Sequence, residues 1–195
     1  MNYVKKVRQI TKKRMLKVKG TSHAFDHIER VYKIATYLAK KEGADVEIVQ
    51  IAALLHDIGR TLKEPHQKTG AKAADKILKK IGYPEDKRKI VSKIVLVHKL
   101  SERKKVRTLE EKIIWDADKI DLIGILGILR IFHFHGNEFT PFDYVIKRWF
   151  KVWKDIYKML FTKTAKKLTK DRYKKTLKFT SDLKKEISLR DLGLR

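Results

Sequence analysis

The sequence predicts an almost entirely α-helical protein on the basis of two observations. Apolar residues recur at intervals of three and four along most of the chain, which is the spacing of one face of a helix rather than of a strand. Only three prolines and nine glycines interrupt this pattern. A chain of 195 residues can also bury a core without disulfides. We therefore expect one domain over residues 1–195, with a core from about 20 to 188 and a basic amino-terminal helix over 1–19.

The first two core helices are predicted from their apolar stripes and from the residues that end them. A helix over residues 25–42 stops at Gly43, as helices commonly do at glycine. Asp45 can cap the next helix, which runs from 46 to about 58. This second helix carries the adjacent pair His56-Asp57 at its carboxyl end.

The middle of the chain predicts two further helices. Pro65 precedes a helix over residues 68–81, and Pro84 precedes another over about 85–100 that places His98 in its last turn. The basic stretch SERKKVR that follows is expected to be a loop.

The last third of the chain predicts four helical segments. Thr108 and Glu111 form a capping-box signal for the helix that leads to Asp116 and Asp118. A tightly packed helix with small residues follows over 124–130, and the next stretch, RIFHFHGN, is expected to form a loop. Beyond the GNEFTP break, residues 142–160 and 164–187 read as two long helices.

Composition limits the chemistry and suggests the partners. The net charge is +25, from 48 Lys and Arg against 23 Asp and Glu, which favours nucleic acid, anionic lipid or phosphorylated substrates without choosing among them. Without cysteine, a metal ion must be bound by nitrogen and oxygen. The chain has no signal-peptide pattern and no stretch of about 20 apolar residues, so we expect a cytoplasmic protein without a membrane span.

The pair His56-Asp57 is the most informative feature, because an imidazole beside a carboxylate can hold a hard or borderline metal ion. Further candidate donors lie on both sides of the pair. In chain order the set is His27, His56, Asp57, His66, His98, Asp116, Asp118 and Asp121.

Four segments resemble, in order, the metal-dependent HD phosphohydrolase superfamily, and within it the YpgQ/YedJ-like branch. They are SHAFDHIERV, AALLHDIGR, DADKIDLIGILGILR and TAKKLTKDRYKKTLKF, which together span roughly residues 20 to 188. The resemblance implies a compact helical HD fold and hydrolysis of nucleotide phosphate or pyrophosphate bonds. It also implies that the metal ligands are His27, His56, Asp57 and Asp118. Asp116 and Asp121 are then left to support the site or to cap helices.

The resemblance leaves the number of ions open. His66, in an element His-x-x-x-Gly-Ala, and His98 look like the additional ligands of a second ion in the HDIG-type branch. Alternatively, both histidines face the substrate phosphate in a site with one ion. Manganese is expected by resemblance, while Fe, Co, Ni and Zn also suit nitrogen and oxygen donors. His23, His133 and His135 are interpreted as surface or hydrogen-bonded residues.

Cations near these ligands are expected to bind phosphate. They are Arg30, Arg60 and Lys119, whereas Arg130 is interpreted as a surface charge or an internal ion pair. The expected catalytic residues are Asp57, Arg60 and Lys119, and the expected substrate-binding residues are Arg30, Arg60, His66, His98 and Lys119. The pair is followed by Ile58-Gly59-Arg60, without the nearby acidic residue that acts as general acid in the deoxynucleoside monophosphate branch of the superfamily. The resemblance therefore makes a 5′-nucleotidase the less favoured activity.

The sequence therefore predicts a phosphohydrolase that uses metal-activated water on a nucleotide or a related small phosphate ester. Two alternatives stay open: a phosphodiesterase acting on RNA or DNA, and a non-catalytic HD scaffold that binds nucleic acid. For both, the expected added contact surface is the amino-terminal helix, with Lys12, Lys13, Arg14, Lys17 and Lys19. The sequence predicts neither the nucleobase nor the oligomeric state.

Overall fold

The computed structural model describes residues 2–16, 24–62, 64–137 and 140–193. Over these residues the chain forms nine α-helices and three short 3₁₀ helices, with no β-strand, so the predicted all-α fold class is confirmed. None of the described helices is both long and apolar enough to cross a membrane. The helices group into two compact units, 1–118 and 119–195. The expectation of a single domain stays a prediction.

The first unit consists of six helices, the last of which continues two residues past its boundary. They are α1 (Tyr3–Met15), α2 (Phe25–Glu42), α3 (Val46–Leu55), α4 (His66–Lys80), α5 (Glu85–Val97) and α6 (Leu109–Ile120). Short 3₁₀ helices, Ile58–Thr61 and Leu100–Lys105, follow α3 and α5.

Helix α3 is the centre of the first unit. It packs against α1, α2 and α5, and it is buried around most of its circumference by Ile48, Val49, Ile51, Ala52, Ala53, Leu54 and Leu55. The Asp45 side chain accepts a hydrogen bond from Ile48 N at 3.0 Å, which confirms the predicted cap. Because α3 is surrounded by other helices, its carboxyl end delivers the next two residues, His56 and Asp57, into the interior.

The amino-terminal helix is part of this core. Val7, Thr11 and Met15 of α1 are buried, and α1 packs against α3. Lys12, Lys13 and Arg14 are exposed, whereas the other two predicted cations of this segment, Lys17 and Lys19, lie outside the described residues.

The second unit contains α7 (Ile125–Asn137), α8 (Phe142–Met159), α9 (Lys163–Ile187) and a 3₁₀ helix (Arg190–Leu192). Its core is formed by Ile128, Ile131, Val145 and Trp153. Gly124, immediately before α7, has a φ of +93°, a backbone conformation that favours glycine. Its N–H donates to Thr176 Oγ1 at 2.7 Å, which ties the start of α7 to α9.

Three local predictions are wrong. The basic stretch 101–107 is not simply a loop, because residues up to Lys105 continue the 3₁₀ helix that follows α5. His133 and His135 lie within α7, which extends to Asn137 instead of ending near Arg130. Helices α3 and α5 each end about three residues early, so that His56 and His98 follow their last helical residues.

Candidate metal centre

Six predicted donors meet in the first unit, although they come from five separate places in the chain. They are His27 in the first turn of α2, His56 and Asp57 after α3, His66 at the start of α4, His98 after α5, and Asp118 near the end of α6. All but Asp118 are almost inaccessible to solvent, and the Asp118 side chain is 13% exposed. His23 lies outside the described residues.

Asp57 stands between two pairs of histidines. Its Oδ2 atom lies 3.8 Å from His27 Nε2 and 3.7 Å from His56 Nε2. Its Oδ1 atom lies 3.8 Å from His66 Nε2 and 3.5 Å from His98 Nε2. The two oxygens of one carboxylate therefore face two different sets of imidazoles.

Two groups of three donors result. In the first group, formed by His27, His56 and Asp118, the two Nε2 atoms are 3.2 Å apart and His27 Nε2 is 3.5 Å from Asp118 Oδ1. The second group is formed by Asp57, His66 and His98, and within each group the donor atoms lie within 4.8 Å of one another. Two ligands bound at about 2.1 Å to one ion are separated by about 3 to 4 Å. Both groups therefore fit a divalent ion held by nitrogen and oxygen.

The backbone orients two of these imidazoles. His56 Nδ1 lies 2.8 Å from Ala53 O, and His98 Nδ1 lies 2.7 Å from Val95 O. Both carbonyls belong to the last turn of a helix, where they lack helical partners. Because a carbonyl only accepts, each Nδ1 carries the proton and each Nε2 presents its lone pair to the cluster, as metal-binding histidines require.

The carboxylate of Glu64 orients the imidazole of His66, so that its Nε2 atom also faces the cluster. The carboxylate lies 3.2 Å from His66 Nδ1 and accepts from the His66 backbone N at 2.7 Å. Sequence reasoning missed Glu64, and the only signal was a carboxylate two residues before a candidate ligand. Although burial opposes its charged form, these bonds from His66 lower the pKa of Glu64, so it stays a carboxylate.

Burial keeps two of the histidines neutral. It lowers the pKa of His56 to about 4, an effect only partly opposed by the neighbouring Asp57 charge. Burial also lowers the pKa of His66, and the nearby Arg60 cation adds to this. Neutral imidazoles are the ones that bind metal ions, so both residues are ready to act as ligands at neutral pH.

Two glycines place the 3₁₀ helix that follows Asp57 directly on α4. A Cβ atom on Gly59 would lie 1.9 Å from His66 O, and one on Gly70 would lie 3.1 Å from Gly59 N. No larger residue fits at Gly59 without moving the start of α4. The four-residue spacing between His66 and Gly70 puts both on the face of α4 that meets this turn.

Arg60 is a cation that contacts the cluster directly. Its Nε atom donates to Asp57 Oδ1 at 3.2 Å, and its side chain is 23% exposed. Arg30 instead pairs with Asp26 at 2.7 Å on the surface of α2. Lys119 is buried on α6, immediately after Asp118.

The other carboxylates of the WDADKID segment have different surroundings. Asp116 is fully buried, but it lies two residues before Asp118 and so points about 200° away from it around α6. In the second unit, Asp121 pairs with Arg130 at 2.6 Å, which confirms the interpretation of Arg130 as an internal ion pair. His135 accepts from Trp149 Nε1 at 2.8 Å, as predicted for a hydrogen-bonded histidine.

Known proteins match this chain over most of its length. The HD domain family model matches residues 24–123. Bacillus subtilis YpgQ is 29% identical over 181 residues, which cover 86% of each protein. The crystal structure of YpgQ in complex with ADP has a TM-score of 0.77 at 26% identity, covering 94% of this chain and 97% of YpgQ.

Two further solved structures are similar as well. A predicted HD superfamily hydrolase from an uncultured Thermotogales bacterium has a TM-score of 0.69 at 27% identity, covering 93% of this chain and 91% of its own. An HD-superfamily hydrolase from Bacillus thuringiensis has a TM-score of 0.74 at 25% identity, covering 95% of this chain and 96% of its own.

Proposed function

This chain belongs to the HD domain family, and we propose that it is a metal-dependent phosphohydrolase that cleaves a phosphate or pyrophosphate bond of a nucleotide. One observation carries the proposal: the Asp57 carboxylate stands between two buried donor groups, each suited to a divalent ion. The hydrolase names of two similar structures support the reaction class.

The two donor groups are proposed to hold two ions. His27, His56 and Asp118 hold one, and His66 and His98 hold the other, with Asp57 shared between them. Manganese is the expected ion, and Fe, Co, Ni or Zn would also suit these donors. When bound, such an ion polarises phosphoryl oxygens and lowers the pKa of a water molecule. If only one ion binds, His66 and His98 would instead face the substrate phosphate.

The residues of the chain supply orientation and charge. Asp57 and Asp118 bring negative charge that offsets the ions, and the protonated Nδ1 atoms keep the histidine lone pairs directed at them. Arg60 uses its Nε for Asp57, which leaves its two outer nitrogens for phosphoryl oxygens as negative charge develops there.

The other two predicted cations contribute differently to this proposal. Lys119 stays the second proposed phosphate-binding cation and, with Asp57 and Arg60, part of the proposed catalytic set. Arg30 is already neutralised by Asp26, so a smaller contribution is expected from it.

A nucleotide is the favoured substrate because YpgQ was solved in complex with ADP. Two phosphates joined by an anhydride could engage both ions and Arg60 together, which a single phosphate could do less completely. A cytoplasmic location, where nucleotides are abundant, completes the proposal.

Purified protein should be incubated with nucleoside mono-, di- and triphosphates, cyclic dinucleotides and single-stranded RNA, each with Mn, Fe, Co, Ni or Zn. Released phosphate, pyrophosphate and nucleotide products should be separated by chromatography. We expect metal-dependent hydrolysis of at least one nucleotide. Cleavage of RNA alone would support the phosphodiesterase alternative, and no hydrolysis of any compound would favour the non-catalytic scaffold.

A further inference from the structure

Helices α8 and α9 carry two rows of exposed lysines. The row on α8 consists of Lys147, Lys151, Lys154 and Lys158, and the row on α9 consists of Lys163, Lys167, Lys170, Lys174 and Lys178. Members of each row are three or four residues apart, so each row follows one face of its helix. The α9 row extends over about 22 Å, at 1.5 Å per residue.

Both rows lie on the outer side of the α8–α9 hairpin. The apolar side of α8 is buried at Trp153 and Ile156, and the inner side of α9 is buried at Ala165 and Thr176. Helical geometry places the lysines on the opposite side of each helix. We call the nine lysines together the lysine face.

A pair of tyrosines marks where the two rows meet. Tyr157 of α8 stacks on Tyr173 of α9, with ring centroids 4.4 Å apart and an interplanar angle of 9°. The Tyr173 hydroxyl donates to Lys154 O at 2.7 Å. Lys154 lies three residues before Tyr157, and Lys170 lies three residues before Tyr173. The two lysine rows therefore run beside the same line of contact between α8 and α9.

Few of these lysines take part in an ion pair. Lys174 pairs with Asp171 at 3.4 Å and Lys178 pairs with Asp182 at 2.6 Å. The other seven lysines have no carboxylate partner in the part of the chain that the structure describes. Like charges one turn apart on a helix repel each other, so a bound polyanion would relieve this repulsion.

We propose that the lysine face binds the phosphodiester backbone of a nucleic acid without regard to sequence. A row of this length suits a polymer with a phosphate at every repeat, whereas a small phosphate ester contacts only one or two cations. An interfacial membrane helix needs a free apolar face to insert into lipid. In α8 only the first turn, with Phe142 and Tyr144, exposes large apolar side chains, and the rest of that face packs around Trp153, which disfavours a lipid surface.

This surface is separate from the proposed hydrolysis and does not depend on it. No residue of the lysine face is among the donors of the metal centre, which all belong to the first unit. The lysine face is also distinct from the amino-terminal helix, which the sequence predicts as the added contact surface for nucleic acid.

Two charge-matched variants of the full chain test the proposal. The first replaces Lys154, Lys158, Lys167 and Lys170 by Gln, and none of these four has an ion pair to lose. The control replaces four exposed lysines of the first unit, Lys12, Lys13, Lys79 and Lys80, by Gln. Circular dichroism and thermal unfolding should show that both variants fold like the parent, since exposed substitutions change stability little.

Binding should be measured by fluorescence anisotropy with labelled 30-nucleotide RNA and DNA, both single-stranded and duplex, over a range of salt concentrations. For single strands each contacted phosphate contributes about 0.7 to the slope of log K against log salt, and for duplex DNA about 0.9. With four lysines replaced in the first variant, we expect the slope of log K against log salt for single strands to become shallower by about 3. The affinity of this variant at low salt should fall by about 100-fold. The control should stay within about threefold of the parent.

Three results would overturn the proposal. One is a parent protein that binds no nucleic acid even at low salt. Another is an equal loss in both variants, which would show that net charge or α1 determines binding. The third is tighter binding to phosphatidylserine-containing vesicles than to any of the nucleic acids, because the partner would then be a membrane.

Discussion

The two donor groups beside Asp57 differ in charge and in how they are assembled. The first group contains a carboxylate of its own, Asp118, and draws its residues from α2, the end of α3, and α6. The second group has only His66 and His98 apart from the shared Asp57. The Asp57 oxygen on that side also accepts from Arg60 at 3.2 Å.

This difference predicts two ions of unequal affinity. A cation is held more strongly where the ligands bring more negative charge, so the first group should bind more tightly. The second group instead depends on precise packing, because α4 is set against the turn after Asp57 by Gly59 and Gly70. The additional carboxylate therefore strengthens ion binding at the first group, whereas binding at the second group depends on the fixed position of His66 at the start of α4.

The largest effect is expected from Asp57→Ala, because this change removes the carboxylate common to both groups. Both ions should be lost and hydrolysis should fall by more than about 100-fold, since even residues that only orient ligands account for 10- to 100-fold. Elemental analysis and nucleotide hydrolysis measure the two effects. Asp75→Ala, which removes a half-exposed carboxylate from α4, is the matched control. Stoichiometric metal in folded Asp57→Ala protein would refute the ligand assignment.

Asp118→Asn should weaken the first ion much more than Asp116→Asn does. Asp118 lies 3.5 Å from His27, whereas Asp116 points away from the cluster. Since Asp116 is fully buried, its substitution should instead lower the melting temperature. Calorimetric titration with Mn(II) and thermal unfolding separate the two effects. The reverse order of metal affinities would move the ligand to Asp116.

His98→Ala should remove one ion and leave the other. The first group keeps all its donors in this variant, so metal content should fall from two ions per chain to one. His27→Ala is the matched comparison on the other side of Asp57 and should lower the affinity of the tighter ion. Unchanged content of two ions in His98→Ala would show that His98 is not a ligand.

The smallest effect is expected from Glu64→Gln. The change weakens the acceptor that orients His66, so the affinity of the second ion should fall by about tenfold and the first should be unaffected. Glu102→Gln serves as the control. It makes the same exchange in the first unit, at a glutamate that pairs with Lys105 instead of with a candidate ligand. Equal affinities in the two variants would mean that Glu64 does not position His66.

The sequence predicted the fold well wherever local signals agree. Helix α2 has the predicted bounds because Gly43, with φ of +78°, ends it in the left-handed conformation. The capping box is confirmed by hydrogen bonds in both directions between Thr108 and Glu111, each of 3.3 Å. Both signals act within one turn, so they can be read from neighbouring residues.

Other features depend on contacts between distant residues and could not be predicted from local patterns. The early end of α3 follows the turn at Asp57, which the close approach of Gly59 to α4 fixes. The sequence supplied all six donors of the candidate centre and set His66 and His98 apart from the others, but it did not predict that Asp57 lies between the two groups, or the role of Glu64. The sequence-based loop prediction also failed at His133 and His135, where α7 continues through a stretch of alternating phenylalanines and histidines as far as Asn137.

Anomalous diffraction from crystals grown in excess Mn(II) shows directly whether two ions flank Asp57. We expect two peaks, on opposite sides of the Asp57 carboxylate. One should lie close to His27, His56 and Asp118, and the other close to His66 and His98. In a second crystal grown with limiting Mn(II), the peak near His66 and His98 should have the lower occupancy. A single fully occupied peak, with the His66 and His98 rings turned away from it, would show that the protein does not bind two ions around Asp57.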